Sequence, residues 1–247
     1  MEKKISCGEI WCGIHGNDIH VTTSGIEASL FSSACDGGKG GDIYYFSVCE
    51  SDLLSRIAIA DVMGHGKAVA ETSQWMCDSL KDKMNNVQGN EVLADLNAAA
   101  VDYGYKALTT AAAIGWYREQ KKLFFSYAGH PPVFVRRTGD DHWWRLELPK
   151  SNHAANLPLG VGREFSFEQS AITLASGDAL FFYTDGLLEA EDAQGQPFGN
   201  QQLPAVLNAH GTDPQIVKES VLSALGAFTG GGQWSHDDVT FMAIRIR

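Results

Sequence analysis

Four sites in this 247-residue chain place an aspartate between an apolar, strand-like run and a glycine or another turn signal. Asp42 follows Gly40-Gly41 and opens IYYFSV. Asp61 closes IAIA and precedes Met63-Gly64-His65-Gly66. Asp185 closes ALFFYT and precedes Gly186, and Asp237 and Asp238 stand directly before VTFMAIRI. Taken singly, Asp-Gly and Asp-Asp pairs are ordinary turn residues. Several carboxylates at strand ends can converge on one rim of a sheet, where loop-borne catalytic groups often sit. Gathered there they repel one another and are costly to bury. A divalent cation relieves both problems, and oxygen-only ligands suit Mg²⁺ or Mn²⁺.

Other chemistries fit less well. Zinc would draw on His65, His130 and His236, but no H-x-x-x-H pair or cysteine cluster accompanies them. His130, in AGHPP, suits a hydrogen bond within a loop stiffened by Pro131 and Pro132. His65, between two glycines, either assists the site or shapes the turn. The stretch GGKGGD lacks the spacing of a phosphate-binding P-loop, yet Lys39 within it is a candidate phosphate contact. No G-x-S-x-G elbow and no cysteine in a basic setting offers a nucleophile.

The elements that must carry these residues can be read from periodicity. Strand-like patterns occupy 17–34, 43–49, 55–60, 109–118, 122–128, 132–137, 143–148, 165–174, 178–184 and 238–246. Helical spacing appears over about 66–84, with Val69, Trp75, Met76 and Leu80 near one face, and over about 90–108, with Asn90 as a cap. Two more helices are expected near 201–209 and 214–228. Strands adjacent in sequence with helices in pairs predict an α+β fold with antiparallel sheets.

Composition limits the partners. Hydrophobic residues make up 44% and aromatics 10%, as in a packed globular protein. A net charge of -11, with no Lys/Arg run longer than two, argues against nucleic acid or an anionic membrane. The opening MEKKISCGEIW lacks the apolar core of a signal peptide, and no stretch is long enough to span a bilayer. Five cysteines without a C-x-x-C pair read as free thiols in a reducing cytoplasm. With neither repeat nor linker, 1–247 is expected to be one domain.

Six motifs then occur in order: GGD at 40–42, DVMGHG at 61–66, AGHPP at 128–132, LPLGV at 157–161, GDALFFYTDGLLEAED at 177–192 and DDVT at 237–240. Together they resemble the SpoIIE-like bacterial branch of the PPM (type 2C) metal-dependent serine/threonine phosphatases, over roughly 25–247. The resemblance implies a β-sandwich of two antiparallel sheets, flanked by helices on both outer faces, with two divalent cations, Mn²⁺ or Mg²⁺, at one end. By motif, Asp61 would bridge the metals with help from the Val62 carbonyl, and Asp185 and Asp237 would complete the first. Asp42 would orient a water or support the second. Lys39 and His65 are the phosphate-contact candidates. Relatives often carry an acidic residue where Tyr45 stands here, a change expected to act around the site and not on its ligands. The first 25 residues match no motif and are read as an edge strand or extension.

The implied reaction is hydrolysis of phosphoserine or phosphothreonine by a metal-activated water. The implied substrate is a STAS-type anti-sigma-factor antagonist in a bacterial partner-switching pathway. The helices after DVMGHG would be the regulatory switch, so polar replacement of Trp75 or Leu80 should alter activity more than stability. Two alternatives stay open: a pseudophosphatase that only binds, and a phosphohydrolase of small molecules. The sequence leaves the oligomeric state open.

Overall fold

The structure, a computed structural model, describes residues 2–4, 9–49, 53–86, 88–150, 154–231 and 237–247. The chain begins with β1 (Glu2–Lys4), β2 (Ile10–His15), β3 (Asn17–Thr22), β4 (Ile26–Ser33), β5 (Lys39–Val48) and β6 (Leu54–Val62). Helices α1 (Ala70–Lys83) and α2 (Gly89–Tyr103) follow, then β7 (Thr109–Tyr117), β8 (Lys122–Ala128), β9 (Phe134–Arg136), β10 (Trp144–Arg145), β11 (Ser170–Thr173) and β12 (Ala179–Tyr183). A short α3 (Asp185–Glu189), α4 (Gly199–Ala209), α5 (Pro214–Phe228) and β13 (Val239–Ile246) complete it.

The strands form two sheets, ordered β1-β3-β4-β13-β12-β9-β10 and β11-β8-β7-β6-β5-β2. Neighbours pair antiparallel except β1 with β3. The sheets pack face to face, with α1 and α2 covering the second and α4 and α5 the first, as expected for the sandwich. Both faces of the central strands are therefore buried, so they read as continuous apolar runs. Along β6, Ile57 and Ile59 enter the core between the sheets, while Ala58, Ala60 and Val62 face α1 and α2. Along β12, Leu180 and Phe182 point inward and Phe181 and Tyr183 meet α4 and α5. Period-two alternation thus sorts side chains between two cores, not between core and water.

Helix ends follow local chemistry. Asp213 caps α5, accepting from the amides of Gln215 at 3.0 Å and Ile216 at 3.1 Å, with Pro214 in the first turn. Asn90 does not cap α2, contrary to the sequence reading. Gln88 is the extended residue before the helix, and Gln169, 80 residues away, accepts from the Gly89 amide at 2.8 Å. Strand β10 is shorter than expected, α3 went unread, and the first 25 residues, read as an edge strand or extension, hold β1, β2 and β3. Leu80 is 1% exposed in the core under α1, so its polar replacement costs stability first. Trp75 is only partly buried, against Tyr103 at a ring-centroid distance of 4.3 Å.

Two of the expected free thiols are paired. Cys12 on β2 and Cys77 on α1 form a disulfide, with Cα atoms 6.4 Å apart and a sequence separation of 65. Only the packing of α1 on the sheet edge brings them together, so spacing motifs could not register the pair. Among the described residues Cys35 and Cys49 are free of disulfides. Proteolysis and mass spectrometry without reductant should recover the Cys12–Cys77 crosslink. Closing a loop of this length contributes about 4 kcal/mol, so Cys12→Ser should lower Tm by roughly 10 °C. Alkylation of both thiols in native, unreduced protein would contradict the pairing.

Candidate active site

The antiparallel register of β5 and β6 sets Asp42 directly opposite Asp61, and Asp61 in turn opposite Thr110 on β7. From the other sheet, β12 ends at Tyr183, and Thr184 leads into Asp185, the first residue of α3. Its neighbour β13 begins just after Asp237 and Asp238. The end of the sandwich therefore gathers acids from both sheets.

Asp42 is 3% exposed, and its Oδ2 accepts from the Thr184 hydroxyl at 2.8 Å, a bond that crosses between the sheets. Burial lifts its carboxyl well above the usual range. Hydrogen bonds from Thr184 and Thr240 oppose the rise, while the charges of Asp238 and Asp237 add to it. Asp61 is pushed up to about 10, first by burial and then by the charges of Asp42, Asp185 and Asp237. Asp237 is raised by burial and by Asp238 and Asp185, and His65 partly offsets this. The four aspartates thus act on one another across a shared, poorly solvated space.

Glycines make the space. A Cβ on Gly41 would lie 2.7 Å from the Gly64 carbonyl oxygen, 2.8 Å from the Val62 carbonyl oxygen and 3.3 Å from Asp61 Oδ1. These three oxygens lean over the strand at a position without a side chain. Gly186 plays the same part opposite, where a Cβ would collide with the Asp238 carbonyl.

The sequence singled out Asp237 from its pair, but Asp238 organises the site. It is 2% exposed, and its carboxylate accepts from the amides of Cys35 at 2.8 Å, Gly41 at 2.5 Å and Gly66 at 3.2 Å. Three segments of the chain are pinned to one side chain. Consecutive residues entering a strand face opposite ways, so a DD pair can serve both the acids and the loops, and that was the available signal. Glu189 was also missed. It lies one helical turn beyond Asp185, and after burial the charges of Asp185 and Asp237 raise its carboxyl.

The remaining candidates divide. His65 is exposed beside Asp237, with its Nδ1 3.4 Å from Cys35 Sγ. Lys39 does not join the acids. It is exposed at the start of β5, and Asp78 of α1 is paired with Lys81, at 2.9 Å. His236 lies outside the described residues. His130 is buried, and its Nδ1 donates to the Pro131 carbonyl at 2.9 Å, leaving Nε2 as a buried lone pair without a partner among the described residues.

Among the described residues, no three Asp, Glu, His or Cys side chains form a closed metal cage. The fit to a cation rests on the donors, which are carboxylates and backbone carbonyls that raise one another's proton affinity. Such all-oxygen, anionic donors suit Mg²⁺ or Mn²⁺, which retain several water ligands.

Two measurements test this field. Relief of one repelling charge in Asp61→Asn should raise Tm in EDTA by about 2–4 °C, the effect of about 1 kcal/mol in a chain of this size. The same change should shrink the shift produced by Mn²⁺. Burial also lowers His130 to about 4, below the ordinary histidine value near 6.5. The unfolded chain therefore takes up this proton first as pH falls, and the native state loses stability from about pH 6.5 towards 4. A urea-denaturation series at pH 7, 6 and 5 should show that loss, and His130→Gln should flatten it.

Residues 52–247 match the family described as Stage II sporulation protein E (SpoIIE). Solved structures with the same fold include the SiaA PP2C domain of Pseudomonas aeruginosa, at TM-score 0.74 and 19% identity, covering 89% of this chain and 86% of that one. RsbX in complex with magnesium aligns at TM-score 0.69 and 16% identity, covering 94% and 100%. The RsbU and RsbW domains of Rv1364c from Mycobacterium tuberculosis align at 0.71 and 21%, covering 90% of this chain and 60% of that longer one. With its profile match, its two-sheet sandwich and acids drawn from both sheets, the chain belongs to the SpoIIE family of PPM-type, metal-dependent serine/threonine protein phosphatases.

Proposed function

We propose that this protein hydrolyses phosphoserine or phosphothreonine on a protein substrate, at a centre held by Asp42, Asp61, Asp185, Asp237 and the Val62 carbonyl. The observation that carries the reading is the convergence of four mutually repelling aspartates at one end of the sandwich. Two divalent cations, Mn²⁺ or Mg²⁺, would supply an activated water and charge stabilisation on the phosphoryl oxygens. The chain's own residues do the rest. Asp61 and Asp185 face the open cleft and orient what enters it. Asp42, held by Thr184, supports the centre from beneath. Asp238 acts through the three amides it binds, fixing the turn that presents Val62 and Gly64. His65 is the favoured phosphate contact, since its charge acts on Asp237, and Lys39, exposed at the start of β5, is the second candidate.

The substrate we favour is a STAS-type anti-sigma-factor antagonist, which the family resemblance supports. We also take 1–247 as one domain: β2 and β3, from the first 25 residues, add to the two sheets, and the GGD motif precedes the family match at 52. We place the protein in the cytoplasm, where the Cys12–Cys77 disulfide would be subject to reduction. In support, no helix among the described residues is long and apolar enough to cross a membrane.

The deciding experiment is hydrolysis of p-nitrophenyl phosphate with Mn²⁺, Mg²⁺ or EDTA, wild type beside Asp185→Asn. Metal-dependent turnover, reduced at least 100-fold in the variant, is expected. Metal binding by calorimetry without turnover of any phosphoester would instead mark a pseudophosphatase.

A further inference from the structure

A cleft of about 310 Å³ runs away from the acids, with Asp61 and Asp185 at one end and Met63, Leu108, Pro158 and Val161 along its sides. Its walls are mostly apolar, with Thr109 and Thr110 also lining it, and Asp61 and Asp185 are its only charged lining residues. Beyond the cleft the surface continues in kind. Met63 is 53% exposed, Val161 48% and Tyr105 74%. Six large hydrophobic side chains are exposed among the described residues. These three and Tyr103 belong to the neighbouring segments at this rim.

The backbone holds the patch in place. The Met63 amide donates to the Leu108 carbonyl at 2.8 Å, and the Leu108 amide donates to Tyr105 at 3.4 Å. Thr109 and Leu159 exchange both backbone hydrogen bonds, at 3.1 and 2.8 Å, which carries Val161 to the same rim. Met63 stands two residues after Asp61, so a group reaching Asp61 along the cleft passes its thioether. Met63 and Val161, both exposed and lining one cleft, make an apolar surface of the kind that marks an interaction site. Aromatic and methionine side chains are the types enriched in the cores of such surfaces.

We infer that this cleft and rim form the substrate-docking surface, and that the segment it takes carries large aliphatic side chains beside the phosphorylated serine or threonine. This rests on the phosphatase reading above. Charge complementarity selects the occupant. The phosphate is the one strongly charged group that the acid end, neutralised by cations, can receive. Apart from Thr109 and Thr110, the walls offer an acidic or amide-rich flank no side-chain hydrogen bonds in exchange for its lost water. Aliphatic flanks instead bury Met63, Val161 and Tyr105 at no such cost.

The test uses two phosphoserine peptides of equal length and net charge, one with leucine and valine flanking the phosphoserine and one with glutamine and serine. Phosphate release with Mn²⁺ gives kcat/KM for each, with p-nitrophenyl phosphate alongside. The wild type should prefer the aliphatic peptide by at least 10-fold. In the Met63→Gln/Val161→Thr variant that ratio should fall to within about 2-fold; as a ratio within one protein, it is independent of any general loss of activity. Tyr105→Ser alone should lower it partially. Equal turnover of both peptides by the wild type overturns the surface and leaves the phosphatase reading standing. Turnover of neither peptide nor p-nitrophenyl phosphate overturns that reading, and the surface with it. A wild-type dimer that the double variant dissolves would overturn the proposal by assigning the patch to a second copy of the chain.

Discussion

The carboxylate of Asp238, buried and accepting three backbone amides, is the constraint on which the rest of the site depends. A buried carboxylate is tolerable only where hydrogen bonds replace its water, and here each replacement comes from a different segment of the chain. Cys35 follows β4 of one sheet. Gly41 lies on β5 of the other, and Gly66 closes the turn after β6. One side chain thus fixes where two sheets and the DVMGHG turn meet. Withdrawing it would leave three amides without their acceptor at the place where backbone carbonyls must be held still.

Around that anchor the fold concentrates negative charge that it does not itself neutralise. The Asp42–Asp61 pairing across β5 and β6 is a directly opposed like-charge pair, an arrangement that destabilises a sheet. It is sustained by the two well-packed cores on either side of β6 and by Thr184 reaching across to Asp42. Stability is spent at the site and recovered in the layers, as is common where binding function is built into a fold. The GGD and DG glycines belong to the same design, since a methyl group at Gly41 or Gly186 would occupy space that backbone oxygens need.

The surface beside the acids differs from the acids themselves. The charged floor fixes which group can react, whereas the apolar rim of Met63, Tyr105 and Val161 has no part in that chemistry and can only discriminate among carriers of the group. Both are hung on the same strand ends, because Met63 continues the chain from Asp61 and its amide bonds the loop that holds Leu108. Movement of α1 or α2 would therefore reach floor and rim together. Trp75 against Tyr103 is the contact through which the two helices would communicate it.

Sequence patterns foretold most of the strands, the paired helices and an α+β fold of antiparallel sheets, and the family resemblance implied the sandwich, while Asp238 and Glu189 went unread as site residues. Apolar runs ending in an aspartate and a glycine are local patterns, and strand ends are where sheets present such groups. Those patterns also carried the family resemblance. What tertiary structure alone decided are relations between distant residues. The Cys12–Cys77 pair, the Gln169 cap on α2 and the choice of Asp238 as anchor all join elements that no spacing rule connects. Period-two alternation sets which face a residue takes, but only the packing of one sheet on the other decides what it meets there.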